Sequence, residues 1–139
     1  MRMECTPAQL WRTSEPATPI RVLVVDDHPL LRQGLRHLVS ALGDFKIVGE
    51  AADGERACEL VQLLQPDLVL MDIAMPKMNG IDATRWIKTT RPHVTIIGLS
   101  IDHSMTVARH MKAAGATAYL TKDATPADFS RVIHSALTH

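Results

Sequence analysis

Five short apolar runs, four of them followed by an ionisable or hydroxyl side chain, limit what this chain can fold into. They occupy 20–25 (Ile-Arg-Val-Leu-Val-Val), 46–51, 67–71, 94–99 and 117–121. The first is rich in β-branched residues and, like the third and fourth, almost continuously apolar, the mark of strands buried on both faces in a parallel sheet. The second, with Lys46, Gly49 and Glu50, reads as a more exposed strand. Segments of helical period lie between the runs. Pro29 suits a first helical turn. Leu31, Leu35, Leu38 and Leu42 then share one helical face, and Gly43 follows as a stop. A second helix over 55–64 turns Ala57, Leu60, Val61 and Leu64 inward and closes at Pro66. Pro76 and Asn79-Gly80 mark a loop before a helix over 81–89. A helix over 105–114 is stopped by Gly115. The last opens at Pro126, with Phe129, Val132, Ile133, Ala136 and Leu137 on one face. Strict alternation of this kind predicts an α/β fold of three layers, a five-stranded parallel sheet with helices on both faces.

One domain accounts for 139 residues. Residues 1–19 hold Pro7, Pro16 and Pro19 and no sustained period, so a flexible N-terminal tail is expected before a domain over 20–139. Leu10 and Trp11 are its only sizeable apolar pair. Fifteen Lys plus Arg balance fifteen Asp plus Glu. The sequence therefore has no basic footprint for nucleic acid and no polybasic membrane anchor. Nor does any apolar run approach the roughly 20 residues of a membrane span. Cys5 and Cys58 have no metal-ligand or redox spacing, which fits free thiols in a reducing, cytoplasmic setting.

In an open parallel sheet, ligands bind outside the carboxyl ends of the strands. This sequence sends Asp26 and Asp27 there from the first strand, Asp72 from the third, Ser100 from the fourth and Lys122 from the fifth. Each has an ordinary alternative. The aspartates and Ser100 can cap helices or turns, and Lys122 can be a solvated charge. Their joint arrival at four of five strand ends argues for a shared site. Three adjacent carboxylates resist ionisation unless a cation balances them, and an all-oxygen donor set suits Mg²⁺. With a cation present, Asp72 is a candidate nucleophile. Lys122 and Ser100 are candidate holders of phosphoryl oxygens.

Val24-Val25-Asp26-Asp27-His28, Leu70-Met71-Asp72-Ile73-Ala74-Met75-Pro76, Ile97-Gly98-Leu99-Ser100 and Tyr119-Leu120-Thr121-Lys122 together resemble the receiver domain of two-component response regulators. The likeness spans residues 20–138. It implies a flavodoxin-like doubly wound sheet of order 2-1-3-4-5 and a signalling switch rather than an enzyme. It further implies Asp72 as phosphoacceptor, charged by a sensor histidine kinase. Asp27, Asp72 and the backbone carbonyl of Ala74 would be direct Mg²⁺ ligands, with Asp26 acting through water. Ser100 would be the switch hydroxyl, Lys122 the phosphoryl partner and Tyr119 the aromatic whose rotamer reports the state. The stretch 27–35, Asp-His-Pro-Leu-Leu-Arg-Gln-Gly-Leu, is similar to LuxR/NarL-type regulators. In those, a C-terminal helix-turn-helix domain binds DNA, here beyond His139. The resemblance thus implies transcription control through that domain, and a homodimer or altered domain contact as output. A segment of a longer regulator is favoured over a receiver acting alone.

A stand-alone or non-phosphorylated docking module would not need the intact acidic set. A haloacid-dehalogenase-like phosphatase needs a second Asp two residues after its acceptor, where this chain has Ala74. A flavodoxin-like electron carrier would find its flavin phosphate repelled by Asp26 and Asp27. Two local expectations complete the reading. Ile101, beside Ser100, narrows access to Asp72. His28 is a loop residue.

Overall fold

The computed structural model describes residues 19–101 and 103–138. The tail reading for 1–19 falls almost wholly outside them. Five strands and five helices alternate: β1 (Ile20–Val25), α1 (Pro29–Ser40), β2 (Phe45–Ala51), α2 (Gly54–Leu64), β3 (Leu68–Asp72), α3 (Gly80–Thr90), β4 (Thr95–Ser100), α4 (Met105–Ala114), β5 (Ala118–Thr121) and α5 (Pro126–Leu137). All pairings are parallel, in the order β2-β1-β3-β4-β5. This is the doubly wound sheet expected from the sequence.

Side-chain alternation along the strands feeds two cores. Val22, Val24, Leu68, Leu70, Ile97, Leu99 and Leu120 pack under α1 and α5, against Val39, Phe129 and Ile133. Leu23, Val25, Val69, Met71 and Ile96 pack under α2, α3 and α4, against Ala57, Val61, Ile87 and Met111. Both faces of β1, β3 and β4 are thereby shut off from water, which is why those runs carry so few polar residues. Fully burying one such side chain stabilises the fold by roughly 1.5–3 kcal/mol.

Local chemistry sets the ends of the helices. Asp53 caps α2 by accepting from Arg56 N, and Asn79 caps α3 by accepting from Asp82 N. Thr125 caps α5 by accepting from Asp128 N, with Pro126 in its first turn. Gly115 ends α4 at φ +121°.

Three details depart from the sequence reading. The second helix is closed by Gln65 in the left-handed conformation (φ 50°, ψ 61°), before Pro66 is reached. The first ends at Ser40, so Leu42 packs on the core from beyond the helix. Its fully buried residue is Val39, whereas Leu31, expected to face inward, is exposed. Pairing of β1 with β2 also slips: Val22 is opposite Ile47 but Leu23 is opposite Gly49, so Val48 is an extra residue.

Candidate functional site

The carboxyl edge of the sheet gathers most of the residues singled out above. Asp26 immediately follows β1 and is fully buried. Asp72 is the last residue of β3, opposite Leu99 in the ladder, and is 2% exposed. Ser100 is likewise the last residue of β4, opposite Thr121, and is buried. Both residues were expected just beyond their strands. They sit inside them because the ladder extends one residue further than the apolar run.

Lys122 reaches into this edge from the end of β5. Its backbone N–H donates to Ser100 O at 2.8 Å, which fixes the start of its side chain. The ammonium lies 2.6 Å from Asp26 Oδ2 and 3.1 Å from Asp72 Oδ1. One cation thus bridges two buried carboxylates. Burial acts to lower the Lys122 pKa, but the bonds and charges of Asp26 and Asp72 outweigh it and hold the ammonium above its ordinary range. For Asp72 the balance goes the other way. Burial first, then the charge of Asp26, push its carboxyl up to about 6, although Lys122 pulls it down. A single ammonium does not balance this cluster.

Two oxygens make the deficit concrete. Asp72 Oδ2 and Asp27 Oδ1 are buried and accept no hydrogen bond. Buried polar atoms normally have a partner, and each one left without costs about 1–3 kcal/mol. One donor atom each from Asp26, Asp27, His28 and Asp72 falls within 4.8 Å of the others. Buried, unpaired carboxylate oxygens in such a cluster fit a divalent cation with a preference for oxygen.

His28, read from the sequence as a loop residue, is part of this cluster. Its Nδ1 lies 3.2 Å from Asp26 Oδ1 and 3.0 Å from Asp27 Oδ1. Its backbone N–H also donates to Asp26 Oδ1 at 2.9 Å. The signal was present in the sequence as a histidine directly after the acidic pair, in a turn that Pro29 constrains. Arg32, in the same 27–35 stretch, supports the site from outside. It donates to the Asp26 carbonyl and pairs with Glu50 at 3.1 Å, tying α1 and β2 to the end of β1.

Two glycines allow α2 and α3 to approach the site. A Cβ on Gly80 would lie 2.1 Å from Asp72 O, and one on Gly54 would lie 2.2 Å from Met78 O. Gly80 N–H meanwhile donates to Ile73 O at 2.8 Å. The loop after Asp72 is therefore folded tightly back on the acceptor strand. Ala74 sits exposed in that loop.

The remaining candidates lie to one side. Tyr119 is partly buried and packs against the core under α2, α3 and α4, within reach of Gly98 and Met111. By strand alternation Ser100 belongs to that same face, whereas Asp26, Asp72 and Lys122 belong to the α1–α5 side. Ile101 stands 80% exposed at the rim.

The profile of the family described as "Response regulator receiver domain" matches residues 22–134. The nitrate/nitrite response regulator protein NarL of Escherichia coli (strain K12) is 40% identical over 123 residues, covering 88% of this chain and 55% of that protein. The transcriptional regulatory protein DegU of Brevibacillus brevis is 39% identical over 104 residues, covering 75% and 44%. The chain thus spans about half the length of the curated relatives it matches. A LuxR-family two-component response regulator from Aurantimonas sp. SI85-9A1 superposes with a TM-score of 0.83 at 34% identity, covering 87% of this chain and 86% of that one. The response regulator domain of Thermotoga maritima CheB superposes with a TM-score of 0.81 at 31% identity, covering 87% and 98%.

Proposed function

Because this chain belongs to the response regulator receiver domain family, we propose that it is a phosphorylation switch whose acceptor is Asp72. The observation that carries this reading is the Asp72 carboxylate. It is buried, has one oxygen 3.1 Å from Lys122 Nζ, and has the other without a hydrogen-bond partner beside Asp26 and Asp27.

Asp72 attacks the phosphorus of a phosphohistidine on a sensor histidine kinase. An Oδ–P bond forms as the N–P bond breaks, and the phosphoryl group stays on the carboxylate as an acyl phosphate. The side chains of Asp26, Asp27 and Asp72 and the carbonyl of Ala74 are the residues that would hold Mg²⁺. When bound, the ion neutralises the carboxylates and the charge on the transferring oxygens. Lys122 is positioned by its backbone bond to Ser100 and exchanges a carboxylate for a phosphoryl oxygen as its partner. Ser100 offers its hydroxyl to another of those oxygens.

The acquired group carries roughly two negative charges and three strong acceptors. Lys122 N–H and Ser100 O are hydrogen-bonded, so a pull on either side chain moves the ends of β4 and β5 together. Tyr119, on the same face as Ser100, responds by changing rotamer. The surface of α4, β5 and α5 is thereby altered, a two-state equilibrium set by local charge.

In the whole protein, this change governs self-association or contact with a C-terminal helix-turn-helix domain that binds DNA, as the NarL and DegU likeness supports. The setting is cytoplasmic. Among the described residues no helix is long and apolar enough to cross a membrane. Residues 1–19 form the tail and 20–139 the receiver.

The test is intact mass spectrometry after incubation with acetyl phosphate and Mg²⁺. The expected outcome is one phosphoryl adduct on the wild-type chain and none on Asp72→Asn. An adduct on both, or on neither, overturns the assignment.

A further inference from the structure

We infer that His28 is a fourth donor of the acidic cluster and tilts it toward divalent transition ions such as Co²⁺, Ni²⁺ and Zn²⁺ over Mg²⁺. The inference rests on the proposed reading of that cluster as a divalent-ion site. It is carried by the place of the His28 ring, which brings a nitrogen within 4.8 Å of a carboxylate oxygen from each of Asp26, Asp27 and Asp72. His28 Nδ1 lies 3.0 Å from Asp27 Oδ1, a buried oxygen without a hydrogen-bond partner, while in the metal-free chain it hydrogen-bonds Asp26 Oδ1 at 3.2 Å. Two donors at right angles on one ion, each about 2.1 Å from it, stand about 3.0 Å apart. The pair therefore has the spacing of one edge of a coordination shell.

The local backbone favours this use of the imidazole. His28 precedes α1 with an extended backbone (φ −101°, ψ 111°) and makes no side-chain capping bond. Pro29 follows it, so the first helical turn needs one N–H fewer. Instead of capping, the ring lies against Asp26 and Asp27, while its outer part is open to solvent, the side chain being 64% exposed. Ligation by Nδ1 leaves the ring proton on Nε2, where water accepts its hydrogen bond. The second pointer to an ion is independent of His28. Asp72 is 2% exposed, and its Oδ2 has no hydrogen-bond partner.

The chemistry of the donors sets the selectivity. Carboxylate and carbonyl oxygens suit Mg²⁺, which keeps its waters and gains little from an imidazole. Cobalt, nickel and zinc gain from a nitrogen donor and follow the Irving–Williams order. Three carboxylates plus one imidazole make a mixed oxygen–nitrogen site. Donors spread over 4.8 Å need to draw in by about half an ångström to share one ion. The exposed ring of His28 can move that far without disturbing the sheet.

The test uses the metal ions alone. The chain is titrated calorimetrically with Co²⁺ and with Mg²⁺, and the Co²⁺-loaded protein is examined by proton NMR for a hyperfine-shifted, exchangeable imidazole signal. The wild-type chain is expected to show that signal, and His28→Gln and Asp72→Asn to lack it. In His28→Gln, Co²⁺ affinity is expected to fall about tenfold or more while Mg²⁺ affinity changes less than about twofold. Circular dichroism of His28→Gln, with His28→Ala as a second variant, verifies the fold.

Parallel loss of both affinities without a shifted imidazole signal overturns the inference. It would mean that His28 acts only by hydrogen bonding to the aspartates, and the divalent-ion reading would stand. A signal that survives in His28→Gln places the ion on another histidine and also overturns it. If neither ion binds the wild-type chain, the divalent-ion reading falls with it.

Discussion

Along the middle of the sheet, β1, β3 and β4 present Val24, Leu70 and Ile97, each fully buried among apolar neighbours. At the carboxyl edge of the same strands stand Asp26, Asp72 and Ser100, as thoroughly buried but polar. In the middle, burial removes apolar surface from water and every backbone group is paired by the ladder. At the edge, burial takes charge out of water, and one ammonium is left to offset Asp26 and Asp72. The contrast separates what holds this molecule together from what it is held together for. The middle supplies the stability that the edge draws on, and an ion or a phosphoryl group at the edge acts against a rigid backing.

The first way to sharpen this contrast is to damage the middle. Leu70→Ala deletes a fully buried side chain, and a loss of about 3–4 kcal/mol is expected from urea unfolding, with or without Mg²⁺. Lys122→Ala attacks the edge instead. It strands Asp26 and Asp72 without their cation, at a cost of about 3 kcal/mol in metal-free buffer. Added Mg²⁺ is expected to restore part of that loss. Equal losses with and without the ion would erase the distinction between the two regions.

Asp72→Asn is expected to do what no substitution in the middle does, namely stabilise the metal-free chain, by about 3 kcal/mol at pH 7. The sign follows from the raised pKa. With the folded carboxyl at about 6 against an ordinary 3.8, the native state binds more protons than the unfolded state between those values. Stability of the wild-type chain therefore falls as pH rises through that window, and the Asn variant lacks this slope. Thermal melts at pH 4 and pH 7 measure it, and a gap at pH 7 that persists at pH 4 refutes the charge account. The smallest effect belongs to neither region. Asn79→Ala removes the cap of α3 and is expected to cost about 1 kcal/mol in the same melts.

Element order was legible because apolar runs shut in on both faces leave little room for other readings, and β1, β3 and β4 are such runs. The membership of the site was legible for a related reason. A polar residue after such a run lies at one edge of a parallel sheet whatever the loops do, which brought Asp26, Asp27, Asp72, Ser100 and Lys122 together on paper. What the sequence hid was set by tertiary contact. Leu31 shares the helical phase of Leu35 and Leu38, but the first turn of α1 leaves it exposed, and Val39 takes the interior. The extra residue at Val48 has no local signal, since β-branched residues suit regular and bulged strands alike. His28 looked like a turn residue because only the fold shows where its ring lies, between Asp26 and Asp27.

The salt-bridged edge has a consequence for synthesis. Asp26 and Asp27 leave the ribosome first, Asp72 next and Lys122 last of the four, so at about 5–20 residues per second the negative half exists for several seconds before its positive half. The nascent chain passes through a stage in which β1 and β3 are already made but their carboxylates have no ammonium. The last strand, which adds least to the core, is the one that makes this edge electrically complete.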